Sequence, residues 1–154
     1  KGARFPYSSP ASSSVAGYIN VVRDHADALK ELLKIHEWFT ISVFGKGADE
    51  DAWLLVQHDD QDVGFQKRVL SVLERLVKIG ETKGANYADL FDRVAVNDTP
   101  PRKQRYGTQG KCVGPGKWEP SPIEDEANVD KRRAEYGMVT MVEYKTWFKE
   151  WCKE

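Results

Sequence analysis

The chain has 154 residues, enough for one domain that buries its own core without a metal or other staple. Apolar residues make up 40% and charged residues 31%, with 23 Lys and Arg against 24 Asp and Glu. This composition excludes collagen-like and wholly disordered chains and supplies no bulk charge that would draw the chain to nucleic acid or an anionic membrane. The longest apolar run, Ala52 to Val56, is far too short to span a bilayer, so neither a membrane nor a nucleic-acid partner is expected.

Residues 1–14, with serines around Pro10, read as a flexible leader, and residues 15–154 as a single helical domain. Val15, Tyr18, Ile19, Val22, Ala26, Leu29 and Leu33 make the stripe of an amphipathic helix that Ser14 caps and that runs to about Ile35. A second helix is predicted from Ala48 to Gln57, with Asp49, Glu50 and Asp51 facing its positive N-terminal dipole. A third carries Phe65, Val69, Leu73 and Leu76 on one face, capped by Asp62 and stopped by Gly80. Asn86 reads as the N-cap of a fourth, which buries Tyr87, Leu90, Phe91 and Val94.

The helical period then breaks. Residues 98–122, rich in proline and glycine, are predicted to form an irregular loop with a short β-hairpin turning at Gly114-Pro115-Gly116. Helix resumes near Asp125 with Val129, Arg133 and Tyr136 on one face and Gly137 as its stop. Thr140-x-x-Glu143 is a capping box that opens a last helix bearing Tyr144, Trp147, Phe148 and Trp151. The expected fold is therefore mainly α, a single-domain helical bundle with one excursion over 98–122.

Cys112 and Cys152 are far apart and lack metal-like spacing. An even cysteine count, the start at Lys1 and the Asn97-Asp98-Thr99 sequon favour a secreted chain with a Cys112–Cys152 disulfide. Two buried free thiols in a cytoplasmic protein are the alternative.

Three polar blocks are not required by helical packing. His58, in Gln57-His58-Asp59-Asp60-Gln61-Asp62, lies at a helix C-terminus beside carboxylates, which favours the imidazolium and suits a general acid or base. The bland alternative is that His58 and the aspartates merely cap helices. Arg93 borders an apolar face and needs a carboxylate or a ligand anion. Gln104-Arg105-Tyr106-Gly107-Thr108-Gln109 concentrates donors and acceptors suited to a polar ligand, in a segment with more basic than acidic residues. A metal at His58 with Asp59 or Asp62 lacks a third ligand, because His25 and His36 fall on the first helix. No metal and no cofactor are expected.

Trp53-Leu54-Leu55-Val56-Gln57-His58, Phe65-Gln66, Asp92-Arg93-Val94 and Gln104 to Gln109 together resemble a family of small bacterial and fungal proteins known only as a domain of unknown function. Pro122 to Asp125, Asn128 to Asp130 and Arg132-Arg133 extend the resemblance, which spans about residues 36–150. The chain departs from it at Glu37-Trp38-Phe39, where members have Gly-Trp-Pro. The resemblance implies that the three blocks belong to one shared signature.

The blocks are expected to converge on one pocket. His58, Arg93 and Tyr106 would form its catalytic group, and Gln57, Gln104, Arg105, Thr108 and Gln109 would bind the ligand. The chemistry that fits is metal-independent acid–base catalysis, such as hydrolysis, elimination or cyclisation, on a small anionic compound. The alternative is a secreted, non-catalytic protein that binds a protein or glycan partner through the basic hairpin and the aromatic last helix.

Overall fold

The computed structural model describes the backbone of residues 15–152 and the side chains of residues 21–152; the segment read as a leader lies outside the described residues. It shows six α-helices and one two-stranded antiparallel hairpin among them. The mainly helical reading is correct. No described helix is long and apolar enough to cross a membrane.

Helix α1 (Val15–Leu32) buries Ala26 and Leu29. It stops short of Ile35 because the chain tightens there: Ile35 N donates to Leu32 O at 3.0 Å, and Ile35 is left exposed. Helix α2 (Ile41–His58) begins seven residues before the predicted start. Gly45, at φ 84°, sets a first helical turn at an angle to the main rod, which hid that turn from the apolar period. Glu81 supplies the acceptors for its start, with its carbonyl on Ile41 N and its carboxylate on Ser42 N.

Asp49 does more than face a helix dipole: it is fully buried, accepting from Trp38 Nε1 (2.7 Å), Thr82 Oγ1 (2.6 Å), Lys83 N (2.9 Å) and Asn86 Nδ2 (3.0 Å). Asn86, read as an N-cap, is accordingly two residues inside α4 (Gly84–Asn97), whose N-cap is Lys83. One carboxylate thus ties the first loop, α2 and the entry to α4 together.

Helix α3 (Val63–Val77) follows its prediction: Asp62 accepts from Phe65 N at 2.8 Å, and Phe65, Val69, Leu73 and Leu76 are buried. Helices α2 and α4 run side by side in the same direction, since Asp49 meets Asn86 at one end and the Gln57 carbonyl meets Arg93 at the other. Leu29, Val56, Val69, Leu73, Leu90 and Val94 form the main core.

Strands β1 (Gly110–Gly114) and β2 (Lys117–Pro120) pair Gly110 with Pro120 and Cys112 with Trp118, turning through Gly116 at φ 65°. A 3₁₀ turn (Glu126–Asn128) leads into α5 (Val129–Glu135). Helix α6 (Met141–Trp147) starts at the Thr140 cap, whose hydroxyl accepts from Glu143 N at 3.3 Å, and it ends before Trp151. A second core joins Trp118, Val129, Met141 and Cys152, with Phe148 stacked on Trp118 at 4.6 Å. Cys112 and Cys152 are bonded (Sγ–Sγ 2.03 Å), closing the chain end onto the hairpin.

Asp49→Ala strands four donors in the interior, so the variant should lose about 3 kcal/mol or more of stability. A urea midpoint that falls with an unchanged m-value would show this; an unchanged midpoint would mean that the four contacts together are dispensable.

Candidate functional site

The 98–109 segment has no regular structure, so side chains must satisfy its backbone. Asp92 on α4 does most of this. Its buried carboxylate accepts from Arg105 N (2.7 Å), Tyr106 N (3.1 Å), Thr108 N (2.9 Å) and the Thr108 hydroxyl (3.1 Å). Gln104, fully buried, works from the other side: Nε2 donates to the carbonyls of Gln109 (2.8 Å) and Ser121 (2.6 Å), and Oε1 accepts from Gln109 N (2.9 Å). Gly107, at φ 71°, lies so close to Met141 and Ile123 that a Cβ would approach Met141 Sδ to 2.7 Å. Arg133 is buried beneath the segment and donates to the carbonyls of Tyr106 and Val139, while Arg132 holds those of Arg105 and Glu124.

On this frame a polar network joins all three sequence blocks. Arg93 Nε donates to the Gln57 carbonyl (3.1 Å) and lies 3.2 Å from Asp60 Oδ1, while Nη1 donates to Gln109 Oε1 (3.0 Å). The Gln109 amide passes on to Thr108 Oγ1 (2.9 Å), and Thr108 reaches Asp92. Asn97 Nδ2 donates to Asp60 at 2.9 Å, so the amide of the sequon is already engaged. Gln66, fully buried in the apolar face of α3, donates to the Val56 carbonyl at 3.0 Å and fixes the end of α2.

His58, the last residue of α2, is exposed at the edge of this network. The expectation of an imidazolium does not hold. Partial burial of the ring and the Arg93 charge lower its pKa below the usual imidazole value, against a smaller opposing effect of Asp60. The neighbouring carboxylates are committed elsewhere: Asp59 and Asp62 both pair with Lys30, at 3.0 and 3.1 Å, and Asp60 pairs with Arg93. No hydrogen bond to another described residue holds the imidazole.

Not every residue of the expected pocket comes here. The Tyr106 ring is buried among Tyr87, Phe91 and Tyr136, with centroids 5.6 to 6.4 Å away, and that burial raises its phenol pKa. Arg105 lies over the Phe91 ring at 5.5 Å and pairs with Glu124 at 3.3 Å. Phe91 and Arg93 are about 200° apart around α4, so Arg105 and the Tyr106 ring belong to the opposite side from Arg93. Gln104 is spent on holding the loop. Gln57 (through its carbonyl), Arg93, Thr108 and Gln109 are joined by hydrogen bonds, and His58 is next to them only as the chain neighbour of Gln57.

Asp89 escaped the sequence reading. It is half-buried one turn before Asp92, and burial with the Asp92 charge raises its pKa to about 7, partly offset by Thr108 and Arg133. The available signal was its spacing from Asp92, which puts two carboxyls at i, i+3 on one helix face. No group of three or more His, Cys, Asp or Glu side chains placed to hold a metal ion occurs among the described residues.

A family model described as Family of unknown function (DUF6624) matches residues 6–151, and the chain belongs to that family. No curated protein and no solved structure matches it.

Two outcomes follow. Asp92→Ala should release residues 105–108, costing about 3 kcal/mol or more because three backbone N–H groups lose their acceptor; a urea melt reads this. Asp89 keeps a proton in the folded chain that the unfolded chain sheds near pH 4, so its burial costs stability as pH rises from about 4 to about 7. The Tm of Asp89→Asn relative to the native chain should therefore be higher at pH 8 than at pH 4, and a difference independent of pH would contradict the assignment.

Proposed function

We propose that this DUF6624 member binds a small anionic compound at the His58–Arg93 edge and carries out acid–base chemistry there, with the neutral imidazole of His58 as proton acceptor. The carrying observation is that the Arg93 guanidinium on α4 is held at the Gln57 carbonyl, next to His58 at the end of α2, with donors to spare. Arg93 uses Nε and Nη1 on Gln57, Asp60 and Gln109, and Nη2 makes no hydrogen bond to a described residue. A guanidinium held on one side presents its other donors to a carboxylate or phosphate in a fixed direction. The lowered pKa makes His58 neutral near pH 7, as a base must be. The Cys112–Cys152 disulfide supports a secreted chain, with an oxidising compartment as its setting.

NMR titration of the imidazole tests this. Its midpoint should fall below 6.5 and rise in Arg93→Gln, since removing a cation favours the imidazolium. Succinate and inorganic phosphate should shift His58 and Arg93 resonances saturably in the native chain and not in Arg93→Gln. A midpoint at or above 6.5 that ignores Arg93, with no saturable shift, would sink the reading.

A second reading is favoured by a separate observation. Trp147 and Trp151 are 53% and 73% exposed, while Trp118 is buried. Indoles left in water beside a disulfide-closed chain end support a face for a protein or glycan partner. On this reading Trp147→Ala with Trp151→Ala abolishes partner binding and leaves the Tm unchanged, whereas a large loss of Tm would assign both indoles to packing.

A further inference from the structure

Away from the His58–Arg93 edge, an open groove of about 310 Å³ is lined by Val96, Pro101, Arg102, Lys103, Ser121 and Pro122. It is the junction where the end of α4, the segment after it and the exit from β2 meet. Backbone hydrogen bonds brace its walls: Arg102 N donates to the Ala95 carbonyl at 2.8 Å, Gln104 N to that of Pro122 at 3.0 Å, and Ser121 N to that of Gln109 at 2.8 Å. Gln104 Nε2 takes the Ser121 carbonyl. The shape is therefore built into the fold and does not need a ligand to form it.

The lining divides by chemistry. Val96 and the two proline rings give an apolar floor, and no acidic residue lines it. Arg102 is steadied by Asp98 (Nε–Oδ2 2.9 Å), which also pairs with Lys67 at 2.8 Å; these partners hold the Asp98 carboxyl down to about 2. Asp98 thus has two cations on it, and the cluster keeps a net positive charge at neutral pH. The Lys103 ammonium and the Ser121 hydroxyl have no partner among the described residues. A fixed apolar floor beside an unpaired ammonium and a free hydroxyl suits one ligand class: an organic anion with a short apolar body.

We propose that this groove is a binding site for a small amphipathic carboxylate, whose chain lies on Val96, Pro101 and Pro122 and whose carboxylate meets Lys103 and the Ser121 hydroxyl. The occupant differs from the compound at the His58–Arg93 edge, where no apolar floor is part of the network. The Gln104 side chain lies behind the groove wall and braces the 104–109 loop.

Octanoate is the probe, with octanamide as its uncharged counterpart, followed by ¹H–¹⁵N NMR on the full chain. Octanoate should shift Val96, Lys103 and Ser121 saturably with a Kd of about 1 mM or tighter. Octanamide should bind about tenfold more weakly, as should octanoate to Lys103→Glu, a change at an exposed position that leaves the fold intact. Added salt should weaken octanoate and spare octanamide. Absence of saturable shifts, or equal affinity for octanamide and for the Lys103 variant, overturns the proposal. Shifts centred on His58 and Arg93 also overturn it, and would assign the carboxylate to that edge. Loss of the phosphate response at Arg93 with octanoate binding intact would remove the His58–Arg93 reading and leave this one standing.

Discussion

The carboxylate of Asp92 is the constraint from which the irregular part of the molecule follows. A loop of this kind has no helix or sheet ladder to satisfy its backbone, so its buried N–H and C=O groups need other partners. Asp92 gathers three amide hydrogens and one hydroxyl at a single buried point, and Gln104 gathers the next set. With those residues placed, the side chain of Gln109 bridges Arg93 and Thr108. Burial still raises the Asp92 pKa despite all four donors, so this anchor is held against a real cost of desolvation.

Much of the helical frame was legible because its signals are local. The apolar stripe of α3, the Asp62 cap and the Thr140 capping box depend on neighbours within a turn or two, and the structure keeps them. The errors share a different cause. Asp49 and Asn86 look like helix-end residues when read alone, yet they are partners across 37 positions, and nothing in either segment announces the other. Gly45 disguised the start of α2 by bending a helix that periodicity assumes to be straight.

The site shows the same division. That Gln57, Arg93, Thr108 and Gln109 have polar work to do was readable from side chains that packing did not need. Whether that work is ligand binding or loop support depends on where each points, and this separated Gln104 and the Tyr106 ring from His58 and Arg93. Charge proved harder than placement. Sequence neighbours made His58 look cationic, but Lys30 on α1 occupies Asp59 and Asp62, and Arg93 sets the nearby field. Gln66 did carry a signal: a glutamine in line with Val69, Leu73 and Leu76 on an apolar face has to bond to backbone, and it does.

The bond between Cys112 and Cys152 spans 40 positions and makes everything between them a covalent ring containing most of the hairpin, α5 and α6. The hairpin turn at Pro115 and Gly116 is exposed, the sort of tip where proteases enter. A cut there falls inside the ring. The nicked protein therefore keeps both pieces joined and runs as one species until it is reduced, so damage at this exposed turn neither frees a fragment nor releases the segment that carries Trp147 and Trp151.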